Sequence, residues 1–223
     1  MIFNSIILFT YYINNFSRRS ILNLGFNNLI GMNYPINFNN YNSKFNLAET
    51  EENSNSIIHY NENNLYFQGS ITPDSCFHIQ QYILKMQYEN YKYINFHIQS
   101  MGGSLLPTFG VIDDIHNSNI PINTYINGFV ASAGSLISVS GNTRYISKNS
   151  LMLIHSLRTV IGEVNFNQLE DNYLNSKTMM NLVKNIYKEK SIMDDYSLDF
   201  LLQHDYWLNS TECLKYKLVD FII

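Results

Sequence analysis

Between Leu65 and Ile222 the apolar residues alternate between two periods. Leu65-Tyr66-Phe67 reads as a short strand closed by Gly69-Ser70. From Asp74 to Tyr88 the residues Phe77, Ile79, Tyr82, Ile83 and Met86 recur at helical spacing, with Pro73 suited to the first turn. Tyr93 to Ile98 reads as a strand of alternating or fully buried type, and Met101-Gly102-Gly103-Ser104 turns the chain sharply after it. The pattern then predicts a helix over 108–116, a strand over 122–126, a small-residue helix over 131–139, and strands over 144–146 and 151–154. A long helix is expected from Glu163 to Lys190, with Phe166, Leu169, Tyr173, Met180, Val183 and Tyr187 on one face. Helices at Ser197–Gln203 and Thr211–Lys217 follow, and the chain closes on a strand over 218–222. Repeated strand–helix alternation with no internal repeat predicts one α/β domain of stacked βα units over residues 57–223.

Upstream the pattern stops. Residues 1–56 read as an N-terminal extension in which the first acidic residue is Glu49 and the cations are Arg18, Arg19 and Lys44. Its apolar start, Ile2-Phe3 and Ile6-Ile7-Leu8-Phe9, is interrupted by Asn and Ser and is too short to span a bilayer. An acid-free, weakly basic, Ser-containing leader resembles an organellar transit sequence, which would send the protein to a plastid or mitochondrion. A start with no address, leaving the protein in the cytoplasm, fits the same residues. Thr50 to Ser56 is polar and unpatterned and reads as a linker. The run Asn64 to Ser70 resembles a cleavage site used on expression tags, but it is continuous with the domain pattern and reads as native sequence.

Composition narrows the function classes. With 223 residues, 45% of them hydrophobic, the chain can bury one substantial core besides the extension. A formal net charge of −4 without a dense Lys/Arg block gives no reason to expect nucleic acid as a partner. The two cysteines, Cys76 and Cys213, have neither metal-ligand spacing nor a disulfide framework, so they read as buried thiols, and no metal or other cofactor is expected.

Candidate chemistry lies at the strand ends. A serine hydroxyl needs a base to take its proton, a group to orient that base, and N–H donors for the oxyanion. Ser132, in Gly128-Phe129-Val130-Ala131-Ser132-Ala133-Gly134, follows a strand and opens a helix, and taken alone it reads equally as a helix N-cap. His155 ends the apolar run Leu151 to Ile154, Asp205 stands before Tyr206-Trp207, and Gly102-Gly103 follows a strand and could free a backbone N–H. Singly, each also has a structural reading, as a satisfied histidine, a turn residue or an ordinary tight turn.

In this order the motifs resemble the Clp protease proteolytic subunit family: Gly102-Gly103-Ser104, then Gly128-x-x-Ala131-Ser132-x-Gly134, then Leu-Ile-His155, then Asp205 with Tyr216-Lys217-Leu218-Val219-Asp220. The resemblance covers about Leu65 to the C-terminus. It implies a ClpP/crotonase-type α/β fold and a serine endopeptidase with Ser132 as nucleophile, His155 as base then acid, and Asp205 as the orienting carboxylate. It further implies backbone N–H groups of Gly103 and Ala133 as the oxyanion hole. It also implies stacked heptameric rings of this or paralogous subunits, an AAA+ unfoldase of the Clp type, and unfolded polypeptide as substrate. The chain departs from the family pattern at Met101, at Ala133, at Asn95 and His97, at His204, and across Ser156-Leu157-Arg158-Thr159-Val160-Ile161-Gly162, where the family has Gln-Pro and a glycine-rich run. A non-catalytic, ClpR-like ring subunit is one alternative. An acyl-CoA enzyme on the related crotonase fold is a second, and a signal-peptide-peptidase relative, for which neither a Lys base nor a membrane anchor is evident, is a third.

Overall fold

The computed structural model describes residues 56–223; the expected N-terminal extension, all but its last residue, lies outside them. Eight strands form one mixed sheet in the order β1-β2-β3-β4-β5-β8, with β6 on β4 and β7 on β6. The strands are β1 (Ile57–Asn61), β2 (Asn64–Gln68), β3 (Ile94–Ser100), β4 (Ile122–Ala131), β5 (Arg144–Ile146), β6 (Leu151–Leu153), β7 (Trp207–Asn209) and β8 (Phe221–Ile222). The helices among the described residues are α1 (Pro73–Tyr88), α2 (Leu105–His116), α3 (Ala133–Val139), α4 (Phe166–Lys190), α5 (Asp195–Gln203) and α6 (Ser210–Lys215).

The parallel centre is built as the periodicity demands. In β3, Ile94, Phe96, Ile98 and Ser100 are buried while Asn95, His97 and Gln99 alternate with them on the other face. α1 buries Cys76, Ile79, Ile83 and Met86, and Thr72 and Ser75 close a capping box at its start. The tag-like run forms β2, paired on one side to β1 and on the other to β3. Away from the buried face, His59, Tyr66, His97, Tyr125, Tyr145 and Phe221 stack in a ladder across the sheet, with centroids 4.5 to 5.4 Å apart.

β1 was not predicted; it joins β2 through a two-residue turn at Glu62-Asn63, with Glu62 at φ 51°. α2 starts at Leu105, earlier than the apolar periodicity suggests, and α4 starts at Phe166, where Asn165 and Gln168 form the capping box. β4 runs five residues beyond its expected end, through Ala131, so the predicted helix over 131–139 begins only at Ala133. The final strand is just Phe221–Ile222: Lys217 is at φ 59° and the Leu218 N–H still bonds back to the Cys213 carbonyl at 2.9 Å. β7, also unpredicted, lies antiparallel on β6. The apolar face of α4 is only partly used: Val183 and Tyr187 are buried, whereas Phe166, Leu169 and Tyr173 are exposed.

Within β4 the register against β3 shifts between Ile98 and Ser100, which pair with Ile126 and Val130. The intervening Gly128 has φ 85° and its N–H donates to Ser150 Oγ at 2.8 Å. This irregularity bends the strand, and β4 changes partner there. Thr124 to Ile126 pair with β5, whereas Phe129 to Ala131 pair with β6.

Candidate active site

That change of partner brings the candidate residues together. β4 and β6 are parallel with Ala131 opposite Leu153, so the residues leaving their carboxyl ends, Ser132 and then Ile154-His155, emerge side by side. The Ser132 N–H donates to the Leu153 carbonyl at 3.0 Å and seals the junction. β3 delivers Gly102-Gly103 to the same end: Ile71 N–H donates to Gly102 O at 2.9 Å and Ser104 N–H to Ile71 O at 2.8 Å. Ser100 clamps this turn, donating to Gly69 O at 2.6 Å and accepting from Gly102 N–H at 3.0 Å. Ser132, Ala133, Gly103 and His155 line one cavity of about 190 Å³ with Leu105, Leu136, Leu157, Arg158, Val183 and Tyr187.

Ser132 stands at the N-cap of α3, but its hydroxyl makes no capping hydrogen bond. Its backbone is at φ 54°, ψ −126°, a region costly for a residue with a Cβ. A strand-to-helix turn of this kind lifts a side chain out of the backbone hydrogen-bonding surface and presents it to a cavity. Two features hold the strain. Ser135 Oγ donates to Ser132 O at 2.6 Å, and Ser135 N–H donates to the same carbonyl at 3.0 Å. With the Ser135 proton so used, the buried Tyr187 hydroxyl donates to Ser135 Oγ at 2.7 Å, and burial pushes its phenol well above the ordinary range. On the other side Gly102 lies so close that a Cβ there would stand 2.6 Å from Ser132 Cβ.

The residues of the two expected oxyanion donors line the same cavity as Ser132. Ala133 is the first residue of α3, where an N–H has no intrahelical acceptor. At Gly103 the bridge to Ile71 employs the Gly102 carbonyl and the Ser104 N–H, leaving the Gly103 N–H outside it.

His155 is half-buried, and its Nδ1 lies 2.6 Å from the Ser156 carbonyl. A carbonyl only accepts, so Nδ1 carries a proton, and in the tautomer this selects Nε2 is the acceptor. Asp205 is exposed and is held by an ion pair with Arg158, not by a hydrogen bond to His155. The fold thus brings Ser132, His155, Gly103 and Ala133 to one cavity and leaves Asp205 joined to its rim through Arg158. Sequence reasoning missed Arg158 as a partner of Asp205 and Tyr187 as the support beneath Ser132. Both pairings bridge distant parts of the chain, and neither residue carries a local motif.

Cys76 and Cys213 are free and buried, and burial pushes their thiols up to about 11 and about 12. Among the described residues no group of His, Cys, Asp and Glu is arranged to hold a metal, and no helix is long and apolar enough to cross a membrane.

A family model for Clp protease matches residues 49–223. An ATP-dependent Clp protease proteolytic subunit of Cyanophora paradoxa is 26% identical over 161 residues, covering 71% of this chain and 82% of that protein. The subunit of Streptococcus mutans is 28% identical over 143 residues, covering 60% and 70%. Proteolytic subunit 1 of Protochlamydia amoebophila is 28% identical over 137 residues, covering 59% and 66%.

Proposed function

The chain belongs to the Clp protease family, and we propose that within it this protein is a serine endopeptidase acting through Ser132, His155 and Asp205. The observation that carries the reading is the strained, uncapped Ser132, set beside His155 by the parallel pairing of β4 and β6. A residue kept at positive φ with its hydroxyl withheld from helix capping is costly for stability alone and useful for attack.

In this mechanism Ser132 Oγ attacks the scissile carbonyl while His155 Nε2 takes its proton. The carbonyl electrons move to the oxygen, which accepts N–H bonds from Gly103 and Ala133. His155 then gives the proton to the leaving amine as the C–N bond breaks, leaving an ester on Ser132. Water, deprotonated by His155, attacks that ester, and the acid product departs as Ser132 recovers its proton. For this Asp205 must turn from Arg158 to accept from His155 Nδ1–H in place of the Ser156 carbonyl, and it then stabilises the imidazolium formed in each half. The substrate is unfolded polypeptide, and the relatives' description as ATP-dependent supports an oligomer of this or paralogous subunits fed by a Clp-type unfoldase.

A non-catalytic ring subunit is the second reading, favoured by the Asp205–Arg158 pair, which leaves the carboxylate away from His155. A fluorophosphonate probe decides between them. The active enzyme labels at Ser132 and Ser132→Ala does not. His155→Ala slows labelling and peptide cleavage by roughly a thousandfold or more, because triad members act as a unit. A folded wild-type oligomer that fails to label supports the non-catalytic subunit instead.

A further inference from the structure

Arg158 has a partner whose identity matters. It lies just beyond His155 on the same segment, lines the cavity at Ser132, and spends its charge on the one carboxylate proposed to orient the catalytic base. The segment is anchored directly before it: Ser156 N–H donates to Leu202 O at 2.7 Å, and Leu157 N–H points to Met180 Sδ at 3.1 Å. Arg158 therefore hangs from a fixed point within reach of Asp205. From Thr159 to Val164 the chain is exposed and has no regular structure.

His155 Nδ1 carries a single proton, which the proposed mechanism assigns to the Asp205 carboxylate and not to the Ser156 carbonyl. In this structure the carbonyl has it. The carboxylate, deprived of that donor, is compensated by the Arg158 guanidinium. The alternative arrangement gives Nδ1–H to Asp205 and releases Arg158 to solvent. Both arrangements satisfy the carboxylate, so they are two discrete states joined by one exchange of partners.

We infer that Arg158 is an intrasubunit latch: by pairing with Asp205 it holds the carboxylate off His155, and its release completes the triad. The inference rests on the reading of Asp205 as the orienting carboxylate. Arg158 is a positioning residue, since it acts on the reaction through Asp205. Side-chain exposures of 70% for Arg158 and 56% for Asp205 make the pair weak and open to salt. The latch therefore sets a modest population of resting enzyme and can be opened by any anion or acidic peptide that captures the guanidinium. The acidic residues of an incoming polypeptide are suited to that, because Arg158 borders the cavity that must receive the chain.

The test uses the full-length oligomer, with probe-labelling rate and peptide kcat and KM as readouts. In Arg158→Gln the labelling rate and kcat rise about two- to fivefold at low ionic strength, the range of an exposed ion pair, while KM for a peptide without acidic residues stays unchanged. Raising the salt brings the wild type towards the variant and leaves the variant flat. Arg158→Lys, which keeps the cation, behaves as wild type. Equal or lower kcat in Arg158→Gln, or a wild type indifferent to salt, overturns the latch. Asp205→Ala separates the two claims. If it loses activity while Arg158→Gln gains none, the triad stands and the latch falls. If it keeps wild-type activity, the triad reading falls and the latch with it. Absence of labelling in every variant overturns both.

Discussion

Ser132 is the residue on which the sequence alone is most ambiguous and the structure most informative. A serine opening a helix is ordinarily its cap, with the hydroxyl accepting from an N–H one turn in. Here the position is that of a cap but the hydroxyl makes no such bond, and the backbone is at φ 54°. The conformation survives because neighbours leave it no alternative. Gly102, at φ +92°, packs so that a Cβ would stand 2.6 Å from Ser132 Cβ and 2.8 Å from the Ala131 carbonyl. Gly102→Ala therefore meets both a backbone region hostile to a side chain and the nucleophile itself. It should cost about 2 kcal/mol or more of stability and at least about a hundredfold in the labelling rate of Ser132. Thermal melting and probe kinetics on the same preparation check both, and a variant labelling at the wild-type rate would remove the argument that close packing of this turn aims the serine.

At the scale of elements, the site depends on β4 serving two neighbours. Its first part pairs with β5 and its last with β6, and the irregularity around Gly128 divides them. β5 is fixed in turn by Arg144, a nearly buried cation. Its backbone N–H and Nε donate to Asp220 Oδ2 at 2.9 and 3.0 Å, Nη2 donates to Oδ1 at 2.7 Å, and Nη1 donates to the Lys190 carbonyl at the end of α4. The guanidinium hydrogen bonds hold the Asp220 carboxyl below its ordinary value of 3.8. A depressed folded pKa means stability that is present above the unfolded value and is lost as pH falls through the folded one. Asp220→Asn should thus cost about 2 kcal/mol at neutral pH, the scale of a charge-assisted, partly buried pair. The difference from wild type should shrink as the pH drops below about 4. Urea unfolding of both proteins across that range measures it, and a pH-independent difference would mean that the pair contributes through packing alone.

At the scale of the whole domain, one continuous core runs beneath the sheet and includes both thiols, Cys76 in α1 and Cys213 in α6. Neither is accessible, and burial pushes both away from the thiolate form that reacts. Alkylation should therefore report opening of the domain. In native buffer both cysteines should resist iodoacetamide, and both should become labelled over the same urea range that abolishes the far-ultraviolet signal. If one were modified well before the other, α1 and α6 would belong to separately opening units, and the core would not be cooperative.

Much of this was legible beforehand. The 2.0 and 3.6 periods located most strands and helices, since a buried strand face and a buried helix face leave different spacings in any sequence. The glycine pair and the motif order from Gly102 to Asp205 implied the family, which the match over residues 49–223 shows. Where local signal and burial diverged, the sequence was a poorer guide. Phe166, Leu169 and Tyr173 continue the apolar face of α4, yet they are exposed, because periodicity records which side is apolar and not whether anything lies against it. β1 and β7 are held by their antiparallel partners, and the extra length of β4 by pairing with β6. What only the tertiary structure decided is which groups come together: Ser132 and His155 at one cavity through strand register, Tyr187 with Ser135, and Asp205 with Arg158. The reason is that a chain's local pattern determines which faces are apolar and where it turns. The pairing of Asp205 with Arg158 is decided by distances between segments far apart along the chain.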